Sequence, residues 1–325
     1  MQRIETTDIL DRSGEWPIPR WPEVDQKINL LPESDRAVAW ADVTRTWLNA
    51  VQSVLGDQFA VYETEGTQLL AVKDEVYAGA LLANVRHCRT VLVELLTDIG
   101  KFHRPGKELV ICLPIAELYY SYLTLYFPDG QDYGGSSGVY VKDGYPHIVC
   151  SGTRTDALLG VFAHELTHAS LSDLRCPLWL EEGITQLVET KVTGAHVVQM
   201  DTEDIRAMTR YWSRNGLGMF WWGHGYAAPG SVQKYCYLFS VMLMTVLVEE
   251  HRVGLLGFGK RRRERLLAFV RNAGSENDAG RAAARQYLGY SLGTLAAKCL
   301  GPGDWEPRPA DQTTGPTTPQ ASSGL

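Results

Sequence analysis

The sequence predicts an α+β protein, with a mixed α/β part carrying a small sheet followed by a mainly helical part. Three observations lead there. Short apolar or alternating runs bounded by Gly and Asp-Gly crowd residues 58–150, as strands do. From 153 to 300 apolar positions recur at helical spacing. A chain of 325 residues, 45% hydrophobic and 21% charged, can bury a sizeable core without disulfides.

Residues 1–57 read as a Pro-rich arm plus a helix. Pro17, Pro19, Pro22 and Pro32 forbid one continuous helix there. Val38, Trp40, Val43, Trp47, Leu48, Val51 and Leu55 space a helix over 36–55, ended by Gly56. The mixed α/β part runs over 58–152. QFAVYETEG and TQLLAVK read as strands about a turn at Gly66, and 76–99 as a helix stopped by Gly100. ELVICLPI has the near-continuous apolarity of a buried strand, 117–126 reads as a short helix, and GGSSG at 134–138 as a loop. VYVKDGYPHIVCSG reads as two strands about Asp143-Gly144.

The helical part spans 153–301. Thr153-x-x-Asp156 opens a helix over 155–171. Pro177 opens a second, which Gly194 ends. A loop rich in Gly and Trp (GLGMFWWGHGYAAPG) leads to an apolar helix over 232–250. Residues 302–325 lack apolar periodicity and are expected to be disordered.

The net charge of −7 argues against nucleic acid as a partner, since phosphate contact relies on Lys and Arg. The run Lys260-Arg261-Arg262-Arg263-Glu264-Arg265 reads as a solvated helix face; docking of an acidic partner or nucleic acid is the alternative. The six cysteines lie 24 to 63 residues apart with no CxxC, which suits free thiols rather than a zinc knuckle. No basic start followed by an apolar stretch opens the chain, and Tyr235–Val248 is too short to span a bilayer. A cytoplasmic protein without membrane attachment is therefore expected.

His164-Glu165-Leu166-Thr167-His168 is HExxH inside a predicted helix. Residues four apart lie about 40° from one another around a helix, so both imidazoles can grip one ion. Leu158, Phe162, Leu166 and Ala169 fall on the opposite side and would anchor the helix. Glu165 lies near the ion but off its ligand line, where a base acting on metal-bound water belongs. WLEEG follows at 179–183 on the next helix, and Glu182 comes 14 positions after His168. A carboxylate there closes a His, His, Glu set, leaving a fourth position for water.

HELTH followed by PLWLEEG resembles the gluzincin branch of the HExxH metallopeptidases, in particular the peptidase MA-like group with its HExxH…P-x-WL-x-EG pattern. The resemblance covers about residues 58–300. It implies a zincin-like fold and one zinc ion held by His164, His168 and Glu182, with the neighbouring Glu181 a solvated charge, and Glu165 as general base. It also implies a donor to the oxyanion from a later helix. Tyr237, followed by Ser240, matches the group's Y-x-x-S stretch; Tyr235 and His224 are the alternatives. Two departures stand out. Thermolysin-like enzymes often place Asp where Gln186 stands, and no GxMEN-like aminopeptidase segment is present.

The expected activity is endopeptidase hydrolysis of polypeptide substrates. His147–Ser151 is expected as a sheet edge that pairs with them, and Phe220, Trp221 and Trp222 as pocket lining or core. A regulatory protein partner, or the arm over 1–57, is expected to restrain the activity. A scaffold of the same fold with a structural metal, or a hydrolase of a non-peptide bond, are the competing readings. The other histidines (87, 103, 147, 196 and 251) lack ligand spacing and read as structural or solvated.

Overall fold

The computed structural model describes residues 9–101, 105–127, 137–194, 201–251 and 260–309. His103, His196, positions 134–136 of the GGSSG segment and the tail from 310 lie outside them. The elements are β1 (Leu10–Asp11), β2 (Ile18–Pro19), α1 (Trp21–Asn29), α2 (Glu33–Leu55), β3 (Phe59–Glu63), β4 (Thr67–Val72) and α3 (Glu75–Leu96). There follow β5 (Glu108–Cys112), α4 (Ala116–Leu123), β6 (Gly138–Val141), β7 (His147–Cys150), α5 (Thr155–Leu171) and α6 (Leu178–Thr193). The rest are α7 (Thr202–Asn215), α8 (Gly218–Trp221), α9 (Ser231–Glu250), α10 (Lys260–Asn272), α11 (Arg281–Ala283) and α12 (Leu292–Leu300). The architecture is mixed α+β. The chain forms two compact units, one of residues 1–95 and 102–169, the other of 96–101 and 170–325.

In the first unit the sheet order is β3-β4-β5-β7-β6. The pairs β3–β4 and β6–β7 are antiparallel, and β4–β5 and β5–β7 parallel. This corrects one expectation. The strand over His147–Ser151 is not an edge: β7 sits between β5 and β6, and the edge is β6. The reason is burial. All four residues of β7 are buried, as an interior strand requires, whereas the middle of β6 is only half-buried.

One face of the sheet packs Leu70, Leu109, Ile111 and Val149 against Trp47, Leu48, Val51 and Leu55 of α2. The Pro-rich segment belongs to this core. Trp16 is buried in it, and the Trp47 indole donates to Pro17 O at 2.9 Å. Pro22 falls in the first turn of α1 and Pro32 caps α2, which therefore starts earlier than its apolar spacing suggested. Trp47 is fully buried, and truncating it to Ala costs ~3–5 kcal/mol. The opposite face meets α3 and α5. Tyr77 of α3 donates to Gly152 O at 2.8 Å, and Asn84 donates to Thr155 O at 2.7 Å.

In the second unit α9 runs over 20 residues, longer than the stretch of 14 that suggested it could not span a bilayer, and by length and apolarity it could cross one. It buries Cys236, Leu238, Phe239, Ser240, Val241, Leu243, Met244 and Leu247. α7 is very polar and buries only Met208 and Trp212, one turn apart; Asp201 caps it through Asp204 N at 2.6 Å. The stretch 302–309 is packed where disorder was expected. Trp305 is buried, its carbonyl accepts from the Trp221 indole at 2.7 Å, and Arg308 O accepts from Trp222 at 3.0 Å. Two indole N–H groups near a buried cluster need acceptors, and this segment supplies them. Arg263 and Arg271 of α10 both bind Asp98, which gives part of the basic run a structural role.

His147 is fully buried on β7. Its Nδ1 meets Tyr145 O at 2.8 Å and its Nε2 meets the Tyr122 hydroxyl at 2.9 Å. A carbonyl can only accept, so Nδ1 carries the proton and Nε2 accepts from Tyr122 in the neutral ring. Burial lowers the His147 pKa from 6.5 to about 4. Between these values the unfolded chain takes up a proton that the folded chain refuses. This share of stability is whole above pH 6.5 and is lost as pH falls towards 4, up to ~3 kcal/mol. Urea unfolding of His147→Leu should show a shallower loss of stability from pH 7 to 4.5 than wild type; equal slopes would contradict this.

Candidate metal centre

α5 owes its position to one apolar side. Leu158, Phe162, Ala163 and Leu166 are buried, and the Thr167 hydroxyl returns to Ala163 O at 2.7 Å. This leaves His164 and His168 half-buried on the other side, one turn apart, with Nε2 atoms 3.1 Å apart. Two nitrogens on one tetrahedral ion at 2.0–2.1 Å stand about 3.3 Å from each other. The imidazoles are thus at ligand spacing. Glu165 is buried at 8% exposure.

β6 passes directly over this residue. A Cβ at Gly138 would lie 2.2 Å from Val161 Cγ1 and 3.4 Å from Glu165 Cγ, so only glycine lets the edge strand approach α5 so closely. Gly138 was expected only as the end of a loop.

α6 starts after Pro177 and ends at Gly194, which takes a left-handed conformation. It buries Trp179, Leu180, Ile184 and Val188, and with them three polar side chains, Glu182, Thr185 and Gln186. His164, His168 and Glu182 each offer one ligand atom, and these atoms all lie within 4.8 Å of one another. This group could hold a metal ion. Two imidazoles and one carboxylate are a donor set that zinc accepts, with a coordination position to spare.

Glycine explains the second half of the WLEEG segment. A Cβ on Gly183 would meet Met244 Cγ and Ser240 O, both at 2.8 Å, so α6 packs on α9 without any room for a side chain there. That approach brings Tyr237 to α6, where its carbonyl accepts from Gln186 Nε2 at 3.2 Å, one turn beyond Glu182. Gln186 Oε1 is buried with no hydrogen-bond partner among the described residues. Tyr235 points away from Tyr237 on the same helix and stacks on Tyr211, with centroids 5.6 Å apart. His224 opens a short turn over His224–Ala227 and is half-buried. Phe220 and Trp221 are core residues, packed on Trp179.

One residue of this region has no counterpart among the sequence expectations. Tyr226 is buried, shares a hydrogen bond with Ser240, and sets its ring edge-on to Tyr237 at 5.2 Å. Burial first, then the nearby Cys236 and Glu182, hold its hydroxyl well above the usual tyrosine range, so it stays protonated. The only sequence signal for it is its place in a Gly-rich turn just before an apolar helix.

His87 is exposed, while His147 and His251 are buried and hydrogen-bonded. No family model and no curated protein matches the sequence.

Gly183→Ala should lower stability by ~1–3 kcal/mol and weaken metal binding, because α6 must shift off α9. Thermal unfolding and a zinc competition titration check this; an unchanged melting temperature would contradict the close approach.

Proposed function

We propose that this chain is a zinc metallopeptidase of the gluzincin, peptidase MA-like type, with a zincin-like fold, that hydrolyses peptide bonds within polypeptides in the cytoplasm. The observation that carries the reading is the convergence of His164, His168 and Glu182 within 4.8 Å, with Glu165 buried on the same helix as the two histidines. Zinc held by those three side chains would polarise a carbonyl and make hydroxide available near neutral pH.

The chain's own groups do the rest. Glu165 takes the proton from water and delivers it to the leaving amine, which departs neutral. Tyr237 donates its hydroxyl hydrogen to the oxygen that gains charge. β6, the edge of the described sheet, passes over Glu165 and offers backbone donors and acceptors to an extended substrate. That arrangement favours polypeptides over small amides. α9 is read as a core helix rather than a membrane span, because its buried face meets α6. A regulatory protein partner is part of the proposal, since an unrestrained endopeptidase in the cytoplasm is harmful; nucleic acid is not.

Glu165→Gln should keep one metal ion per chain and lose at least about a hundredfold in hydrolysis. Metal analysis of the purified variant, paired with a search for new peptide termini in cells, reads both effects. Termini made equally by wild type and variant would overturn the assignment. Tyr237→Phe should lower kcat about a hundredfold with metal content unchanged. Unchanged turnover would remove Tyr237 from the mechanism.

A further inference from the structure

Two thiols that the proposed hydrolysis does not use lie side by side in the first unit. Cys112 ends β5 and Cys150 ends β7, and the two are register partners in a parallel pair. Their side chains therefore leave the same face of the sheet, the one opposite Ile111 and Val149. Both are free and fully buried. The Tyr77 hydroxyl lies 3.3 Å from Cys112 Sγ and donates to Gly152 O at 2.8 Å. Cys112 Sγ is itself 3.9 Å from that carbonyl. On the other side of β7, Cys150 pairs with Gly138, whose Cβ position lies 3.4 Å from Glu165 Cγ.

We propose that Cys112 and Cys150 form an oxidisable dithiol, which a small peroxide converts into a disulfide joining the ends of β5 and β7 beside Glu165. Adjacent strands run about 4.8 Å apart, inside the Cα window of roughly 4.4–6.8 Å that a disulfide spans. The register therefore sets the two Cα atoms at a separation a disulfide can span. The polar surroundings divide the roles. The adjacent Cys150 thiol first, and then the Tyr77 hydroxyl at 3.3 Å, hold the Cys112 thiol below its usual range against its burial, while the adjacent Cys112 and then burial push Cys150 up. Cys112 is thus the attacking sulfur and Cys150 the resolving one.

The electrons balance in two steps. Cys112 sulfur attacks one peroxide oxygen, the O–O bond breaks, and the departing oxygen leaves with the thiol proton as water or alcohol. Cys112 is then a sulfenic acid. Cys150 sulfur attacks it, the S–O bond breaks, and hydroxide leaves with the Cys150 proton as water. The peroxide gains two electrons and the two thiols lose them. Tyr77 can turn its one hydroxyl hydrogen from Gly152 O to the Cys112 thiolate. Burial restricts the oxidant to a small molecule. This inference stands whether or not the chain is a peptidase.

The test is titration of the reduced, full-length protein with hydrogen peroxide, alkylation of remaining thiols, and peptide mapping. The expected product weighs two hydrogens less and links the peptides holding Cys112 and Cys150; dithiothreitol restores both thiols. Cys150→Ser should halt the reaction at a Cys112 sulfenic acid that dimedone captures. If both cysteines are alkylated as free thiols after other cysteines have oxidised, or if either pairs with a third cysteine, the proposal fails. The wild-type map alone decides this should the variant not fold.

Discussion

His164, His168 and Glu182, two of them half-buried and one buried, each offer a ligand atom within 4.8 Å of the others, a group that could hold a metal ion. Burying a carboxylate costs several kcal/mol unless a positive group or hydrogen bonds compensate. A cation shared by Glu182 and the two imidazoles would compensate all three at once. The surrounding fold can be understood as the means of holding these side chains where that exchange is favourable.

Two glycines do much of this holding. Gly183 lets α6 lie against α9 closely enough that Ser240 O fills the space of a missing side chain. That fixes the helix carrying Glu182 and sets Tyr237 one turn from it. Gly138 does the equivalent for α5, admitting the edge strand over Glu165. A methyl group at either site would push apart elements whose relative positions matter to within a few tenths of an ångström. The unusual density of aromatic residues serves the same end. Trp179 meets Trp221 edge-on and packs tilted on Phe269, anchoring the start of α6, and the carbonyl of Ala279 takes its indole proton at 2.9 Å.

Much of this was legible in the sequence because helical spacing and capping are local. The bounds of α5 and α6, the hairpin of β6 and β7, and the one-turn spacing of His164 and His168 all follow from residues near one another in the chain. What escaped depends on partners far away in sequence. No local pattern tells that β7 turns inward to pair with β5, leaving β6 at the edge. Trp305 looks like part of a polar tail until its carbonyl meets Trp221, 84 residues earlier. Tyr226 lies in a loop whose glycines signal a turn but not what the turn presents. α7 carries its helical signal in only two buried residues, Met208 and Trp212, on an otherwise polar segment. The Pro-rich opening reads as an arm or strap without showing which surface it covers, because its role, filling the core around Trp47, is set by α2 and the sheet together.

The metal's immediate surroundings test the account most directly. X-ray absorption at the zinc edge of the purified, zinc-loaded protein should show one ion per chain, with two imidazole nitrogens and a carboxylate oxygen at about 2.0–2.2 Å and a further light ligand. A sulfur shell, a single imidazole, or a spectrum unchanged when Glu182 is replaced by Gln would contradict it.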